Sequence, residues 1–122
     1  MNKKTVIIGA TPDPSRYAYF AADLLTRNGN EIVPLGLKKG EVQGKPIVDI
    51  RSKPTIPNVD TITLYTRAEH QRDYYDYLLG LKPKRIIFNP GTENPEFEKL
   101  AEEAGIEALE ACTLVMLRTG QF

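Results

Sequence analysis

A single cysteine and a single histidine in 122 residues exclude an internal disulfide and a His/Cys cluster of the kind that holds a structural metal. Net charge is missing too: 16 Lys and Arg balance 16 Asp and Glu. No overall field draws the protein to nucleic acid or to an anionic membrane, and any anion site must be local. Long apolar runs are absent. The first stretch, Thr5 to Ala10, is too short for a signal-peptide core or a membrane span. No triad or paired-carboxylate pattern stands out, so a binding protein rather than an enzyme is expected. What remains is a cytoplasmic globular protein, 41% apolar and 26% charged, whose length suits one domain over residues 1–122.

Short β-type runs alternate with helical stripes along the chain, the pattern of a parallel sheet covered by helices on both faces. The run Thr5-Val6-Ile7-Ile8 reads as a central strand because it is continuously apolar. In the loop that follows, Asp13 or Ser15 is placed to cap a helix whose first turn holds Pro14. Tyr17, Phe20, Ala21, Leu24 and Leu25 then recur at helical spacing until Asn28-Gly29-Asn30 stops them. A second strand is expected over Glu31–Leu35, and a loop-rich crossover from Gly36 to Pro57 with one short strand at Ile47-Val48. The alternating Asp60–Tyr65 is a further strand; Thr66-Arg67-Ala68-Glu69 has capping-box spacing and predicts a helix to about Leu81. Arg85–Phe88 and Ile106–Leu109 are the last strands, with an Asn94-capped helix between them and a short terminal helix over Cys112–Leu117. The expected fold is α/β, a doubly wound parallel sheet in three α/β/α layers of Rossmann-like type.

In such a sheet, ligands bind outside the carboxyl ends of the strands, where strand order reverses. Four loops qualify: Gly9 to Tyr17, Gly36 to Gly40, Tyr65 to Arg67, and Asn89 to Glu93. The first leads into a helix N-terminus, a ready site for a diphosphate. Gly9 permits close backbone approach, Thr11 and Ser15 offer hydroxyls, and Arg16 offers a planar fork. The loop lacks the second and third glycines of G-x-G-x-x-G, and Asp13 repels phosphate unless its side chain turns back to cap the helix. An NAD site would place an acid after the second strand; here Lys38 and Lys39 stand there. Two lysines suit a phosphorylated ribose, in coenzyme A or in NADP, although a solvated surface loop can carry such a pair as well. His70 reads as a surface residue and Cys112 as a small buried hydrophobe, with thiol reactivity the alternative. The Tyr74-Tyr75-Tyr77 cluster spans three faces of one predicted helix, so part of it is exposed or packed on a partner, which allows a homodimer.

The segments Val6 to Tyr17, Ile32 to Leu35, Phe88 to Gly91 and Glu110 to Arg118 together resemble the small bacterial CoA-binding domain family, related to the CoA-binding domain of the succinyl-CoA synthetase α subunit. The resemblance spans nearly the whole chain. It implies that the loop containing Gly9, Ala10, Thr11, Ser15, Arg16 and Tyr17 cradles the pyrophosphate of coenzyme A or an acyl-CoA. It also implies that Lys38 lies near the ribose phosphate and adenine, and that Tyr65, Thr66, Asn89, Pro90 and Gly91 line the rest of the cleft. In one respect the chain departs from the family: Asn-Pro usually precedes the Lys, and here Gly36-Leu37 does. The synthetases' later domains have no counterpart here. The expected function is therefore a nucleotide-binding module for coenzyme A, with an NADP-dependent redox protein and a ligand-free interaction module as alternatives.

Overall fold

The computed structural model describes residues 2–122. Its main sheet has six strands in the order β5-β2-β1-β6-β7-β8, every neighbouring pair parallel. These are β1 (Thr5–Ile8), β2 (Ile32–Gly36), β5 (Val48–Asp49), β6 (Thr61–Leu64), β7 (Arg85–Phe88) and β8 (Glu107–Glu110). β1 is buried along its length, as its unbroken apolar run requires of a strand covered on both faces. From β1 the chain steps outward through β2 to β5, then returns to the other side of β1 and continues through β6, β7 and β8. The reversal beside β1 makes this the doubly wound, Rossmann-like arrangement.

Helices α1 (Tyr17–Arg27), α2 (Tyr75–Gly80), α3 (Pro95–Glu103) and α4 (Thr113–Arg118) flank the sheet. Alternation along the strands sorts the core into two layers. Val6, Ile8, Ile62, Leu64, Ile86 and Phe88 pack with Leu78 of α2 and Phe97 of α3; Ile7 and Ile32 pack with Ala18, Ala22 and Leu25 of α1. In β6 the same alternation turns Ile62 and Leu64 into the first layer and leaves Thr61 and Thr63 for polar work: Thr63 Oγ1 lies 2.8 Å from Thr113 Oγ1 of α4. Thr61 Oγ1 accepts from Arg85 Nε at 2.8 Å, while Arg85 Nη2 donates to the Phe122 carbonyl at 2.9 Å and its guanidinium lies 4.3 Å from the Phe122 ring centroid. Burial lowers the Arg85 pKa, and Asp60 and Glu107 oppose the shift. Pro34 is tolerated inside β2 because β5 pairs only with Leu35 and Gly36.

Three expectations need correction. The crossover holds more than the one short strand expected near β5: β3 (Glu41–Val42) and β4 (Lys45–Pro46) form an antiparallel hairpin. Its turn residues Gln43 and Gly44 both have positive φ, 51° and 74°, the twist that suits a two-residue hairpin. Val42 plugs this hairpin into the α1 layer. Second, no continuous helix runs from Thr66 to Leu81. Two 3-10 turns, Ala68–His70 and Arg72–Tyr74, precede α2; the Thr66 hydroxyl, which a capping box needs as its acceptor, has no partner, and the buried Gln71 side chain bonds the Thr66 and Thr92 carbonyls instead of continuing a helix. Third, neither Asp13 nor Ser15 caps α1; its N-cap is Arg16, which provides no side-chain cap. The tyrosines are largely spent within the chain. Tyr75 stacks on Phe97 with centroids 4.5 Å apart, and Tyr77 donates its hydroxyl to the Pro54 carbonyl.

Candidate functional site

The carboxyl ends of β1, β2 and β6 open into a cleft of about 730 Å³. Its floor is held by close backbone packing. The N–H groups of Gly9 and Ala10 both donate to the Leu35 carbonyl at 3.0 Å, pulling the first loop onto the exit of β2. On the other side, a Cβ at Gly9 would lie 3.0 Å from Thr66 Cγ2 and 3.1 Å from the Tyr65 carbonyl oxygen, and φ is +89°. Gly36 is equally constrained, since a Cβ there would come within 2.8 Å of the Ala10 carbonyl oxygen. The glycines thus let three strand exits meet.

Past Gly9 the loop folds on itself. Thr11 Oγ1 accepts from the Asp13 N–H at 3.1 Å, and Asp13 Oδ1 accepts from the Ser15 N–H and hydroxyl at 3.0 and 2.7 Å. These Ser15 bonds, helped by Arg16 and Lys38, hold the Asp13 carboxyl below the usual carboxylate range. The carboxylate is therefore occupied with its own turn. α1 begins at Tyr17 with no side chain on its N-terminal amides, and Tyr17 and Ala18 line the cleft beside Arg16 and Lys38. An uncapped helix start carries unpaired donors and the positive end of the dipole, and two cations flank it.

On the opposite wall, the loop after β6 contributes Tyr65, Thr66 and Arg67, and the loop after β7 contributes Pro90, Gly91 and Thr92. Among the described residues, Tyr65 Oη and Thr66 Oγ1 are the buried side-chain polar atoms without a hydrogen-bond partner. The Thr63 and Thr113 hydroxyls, which bond to each other, are the polar groups closest in effect to the Tyr65 hydroxyl. Its burial pushes its pKa up to about 12, an effect that Thr113 and Thr63 only partly offset. Both orphans sit on cleft-lining residues.

Of the residues singled out from the sequence, Gly9, Ala10, Thr11, Arg16, Tyr17, Lys38, Tyr65, Thr66, Pro90 and Gly91 come together around this cleft. Ser15 and Asn89 do not line it. Ser15 is tied to Asp13, and Asn89 is buried beneath the floor, where it donates to Thr63 Oγ1 and the Leu64 carbonyl and accepts from the Thr113 N–H. Ile50, His70, Asp73 and Tyr74 also line the cleft; sequence reasoning missed them, although Asp49, which accepts from the Arg51 N–H at 2.8 Å, is a turn-starting signal in front of Ile50. A larger hollow of about 1020 Å³ lies between the 53–60 segment and α2. It is bordered by the ion pairs Lys4–Glu31 and Lys84–Asp60, whose residues precede the strands, and it meets no carboxyl end of a strand, so the β1 cleft is the better nucleotide site.

Comparison with known proteins gives a family and a fold. A family model described as CoA binding domain matches residues 3–118. A crystal structure of an uncharacterized protein superposes with a TM-score of 0.97 at 54% identity, covering 100% of this chain and 99% of that one. The cell-free ID.343 protein of Thermus thermophilus follows at a TM-score of 0.85 and 28% identity, with 98% and 90% covered. A hypothetical protein from Pyrococcus horikoshii OT3 shares the fold, with a TM-score of 0.83 at 24% identity over 96% and 82% of the two chains. No curated protein sequence matches the chain.

Proposed function

Since the chain belongs to the CoA binding domain family, we propose that the β1 cleft binds coenzyme A or an acyl-CoA, with the diphosphate at the start of α1 and the ribose phosphate near Lys38. The observation that carries this reading is the uncapped α1 N-terminus flanked by Arg16 and Lys38, with Asp13 turned back on Ser15. Backbone donors and a guanidinium fork suit bridging phosphates, and a lysine suits a terminal one as a point charge. The orphaned Thr66 and Tyr65 hydroxyls fit a ligand with further polar groups beyond the diphosphate. These are contacts that hold a ligand, and the role proposed is that of a binding module.

NADP carries its extra phosphate on the same ribose and remains the competing nucleotide. Thermal unfolding of nucleotide-stripped protein with coenzyme A, dephospho-CoA, NADP and NAD separates the two, because a ligand that binds only the folded state raises its stability by mass action. The largest rise is expected for coenzyme A, with dephospho-CoA behind it. A larger rise with NADP transfers the site to redox chemistry, and no rise with any of the four removes the reading.

A further inference from the structure

Between the two loops of the cleft's far wall stands a buried amide. Gln71, 1% exposed, donates from Nε2 to the carbonyls of Thr66 at 2.8 Å and Thr92 at 2.9 Å. Its Oε1 accepts from Asn94 Nδ2 at 2.9 Å. Asn94 Nδ2 also donates to Tyr75 Oη at 2.8 Å, and Asn94 Oδ1 caps α3 by accepting from the Phe97 N–H at 3.1 Å. Only a two-hydrogen donor satisfies both carbonyls at once, so the orientation of the Gln71 amide is fixed by its neighbours. Thr66 and Thr92 belong to loops that follow different strands, β6 and β7, and both line the cleft. No other side chain among the described residues bonds to both loops.

We infer that Gln71 is a positioning residue for ligand binding: a clasp that sets the spacing between the β6 and β7 loops and so shapes the part of the cleft that takes the ligand beyond its diphosphate. The inference rests on the coenzyme A reading. Arg16, Lys38 and the α1 start lie on the other wall and are not joined to Gln71 by any hydrogen bond. Loss of the clasp should therefore affect the pantetheine arm and spare the nucleotide end. A side chain that merely supported the fold would affect both alike.

The test is the Gln71→Met variant, which keeps the side chain's length and removes its hydrogen bonds, titrated with coenzyme A and with adenosine 3′,5′-bisphosphate, which lacks the pantetheine arm together with the outer phosphate of the diphosphate. Coenzyme A affinity should fall about tenfold or more while that for the bisphosphate stays within about twofold; equal losses, or no loss, overturn the inference. A measurement on the unaltered protein keeps it testable should the variant not fold. Coenzyme A should slow amide hydrogen exchange at Thr66–Arg67 and Thr92–Glu93 more than the bisphosphate does, and equal protection by the two overturns the clasp. Unaltered protein that binds coenzyme A without the exchange difference removes the clasp alone, whereas unaltered protein that binds none removes the functional reading with it.

Discussion

Asp13 Oδ1 accepts two hydrogen bonds from Ser15, one from its N–H and one from its hydroxyl, and so the carboxylate nearest the start of α1 is turned toward its own loop. Replacing it with asparagine keeps an acceptor for Ser15 and removes a negative charge from the corner shared with Arg16 and Lys38. Asp13→Asn should tighten coenzyme A binding severalfold at low salt, a gain that fades as salt screens the exposed charges. Isothermal titration at two ionic strengths measures it. Because the Ser15 bonds depress the Asp13 pKa, the carboxylate's contribution to the turn is held above the ordinary carboxylate range and lost as pH falls through the lowered value.

Lys38 faces the same corner from the loop after β2. Lys38→Glu should weaken coenzyme A by about tenfold, the scale of a charge-assisted phosphate contact, and weaken dephospho-CoA much less. Competition titrations with the two ligands read the difference; equal losses remove the proposed contact with the 3′-phosphate.

Gly9 and Gly29 both have positive φ, +89° and +82°, but only Gly9 faces neighbours a methyl group would strike. Gly29→Ala should cost about 1 kcal/mol, the penalty of the left-handed backbone alone. Gly9→Ala should cost about 2–4 kcal/mol, because the β1 and β6 exits must also part. Urea unfolding of the two variants gives the comparison, and ligand affinity should fall only for Gly9→Ala.

Glu98 of α3 has its pKa raised, first by burial and then by Glu110 of β8 beside it. A carboxyl with a raised folded-state pKa favours the fold while protonated and loses that contribution as pH rises through the folded value. At neutral pH the ionised Glu98 therefore weighs against the fold, and Glu98→Gln should stabilise it, by less than about 1 kcal/mol given how wet the site is. The gain should close as pH drops into the carboxylate range; melting curves from pH 4 to 7 follow it.

Strands and site were legible where the signals are local. β1 and β7 stand where their apolar runs lie, and Asn94-Pro95 starts α3 as its chemistry dictates. All the strands of a parallel sheet end on one side, so most of the cleft could be placed from their exits. The predicted long helix failed because Gln71 reaches Thr92, 21 residues away, a contact that no window around Thr66 reveals. The hairpin escaped because its strands are two residues long and Gln43 is an unusual occupant of a left-handed turn position. Ser15 and Asn89 carry groups that suit a ligand, but Ser15 spends its hydroxyl on Asp13 and Asn89 spends its amide across Thr63, Leu64 and Thr113. Ile50 reaches the cleft from a 3-10 turn over Ile50–Ser52, placed by the crossover, and Asp73 and Tyr74 from the turn that follows Gln71.

The six-stranded sheet ends in β5 on one side and β8 on the other. β5 is two residues long, and β8 begins and ends in exposed glutamates, Glu107 and Glu110. A second copy trying to extend the ladder finds too short a template at one margin and like charge at both ends of the other. At high concentration, molecules can crowd together without their sheets fusing into a fibre.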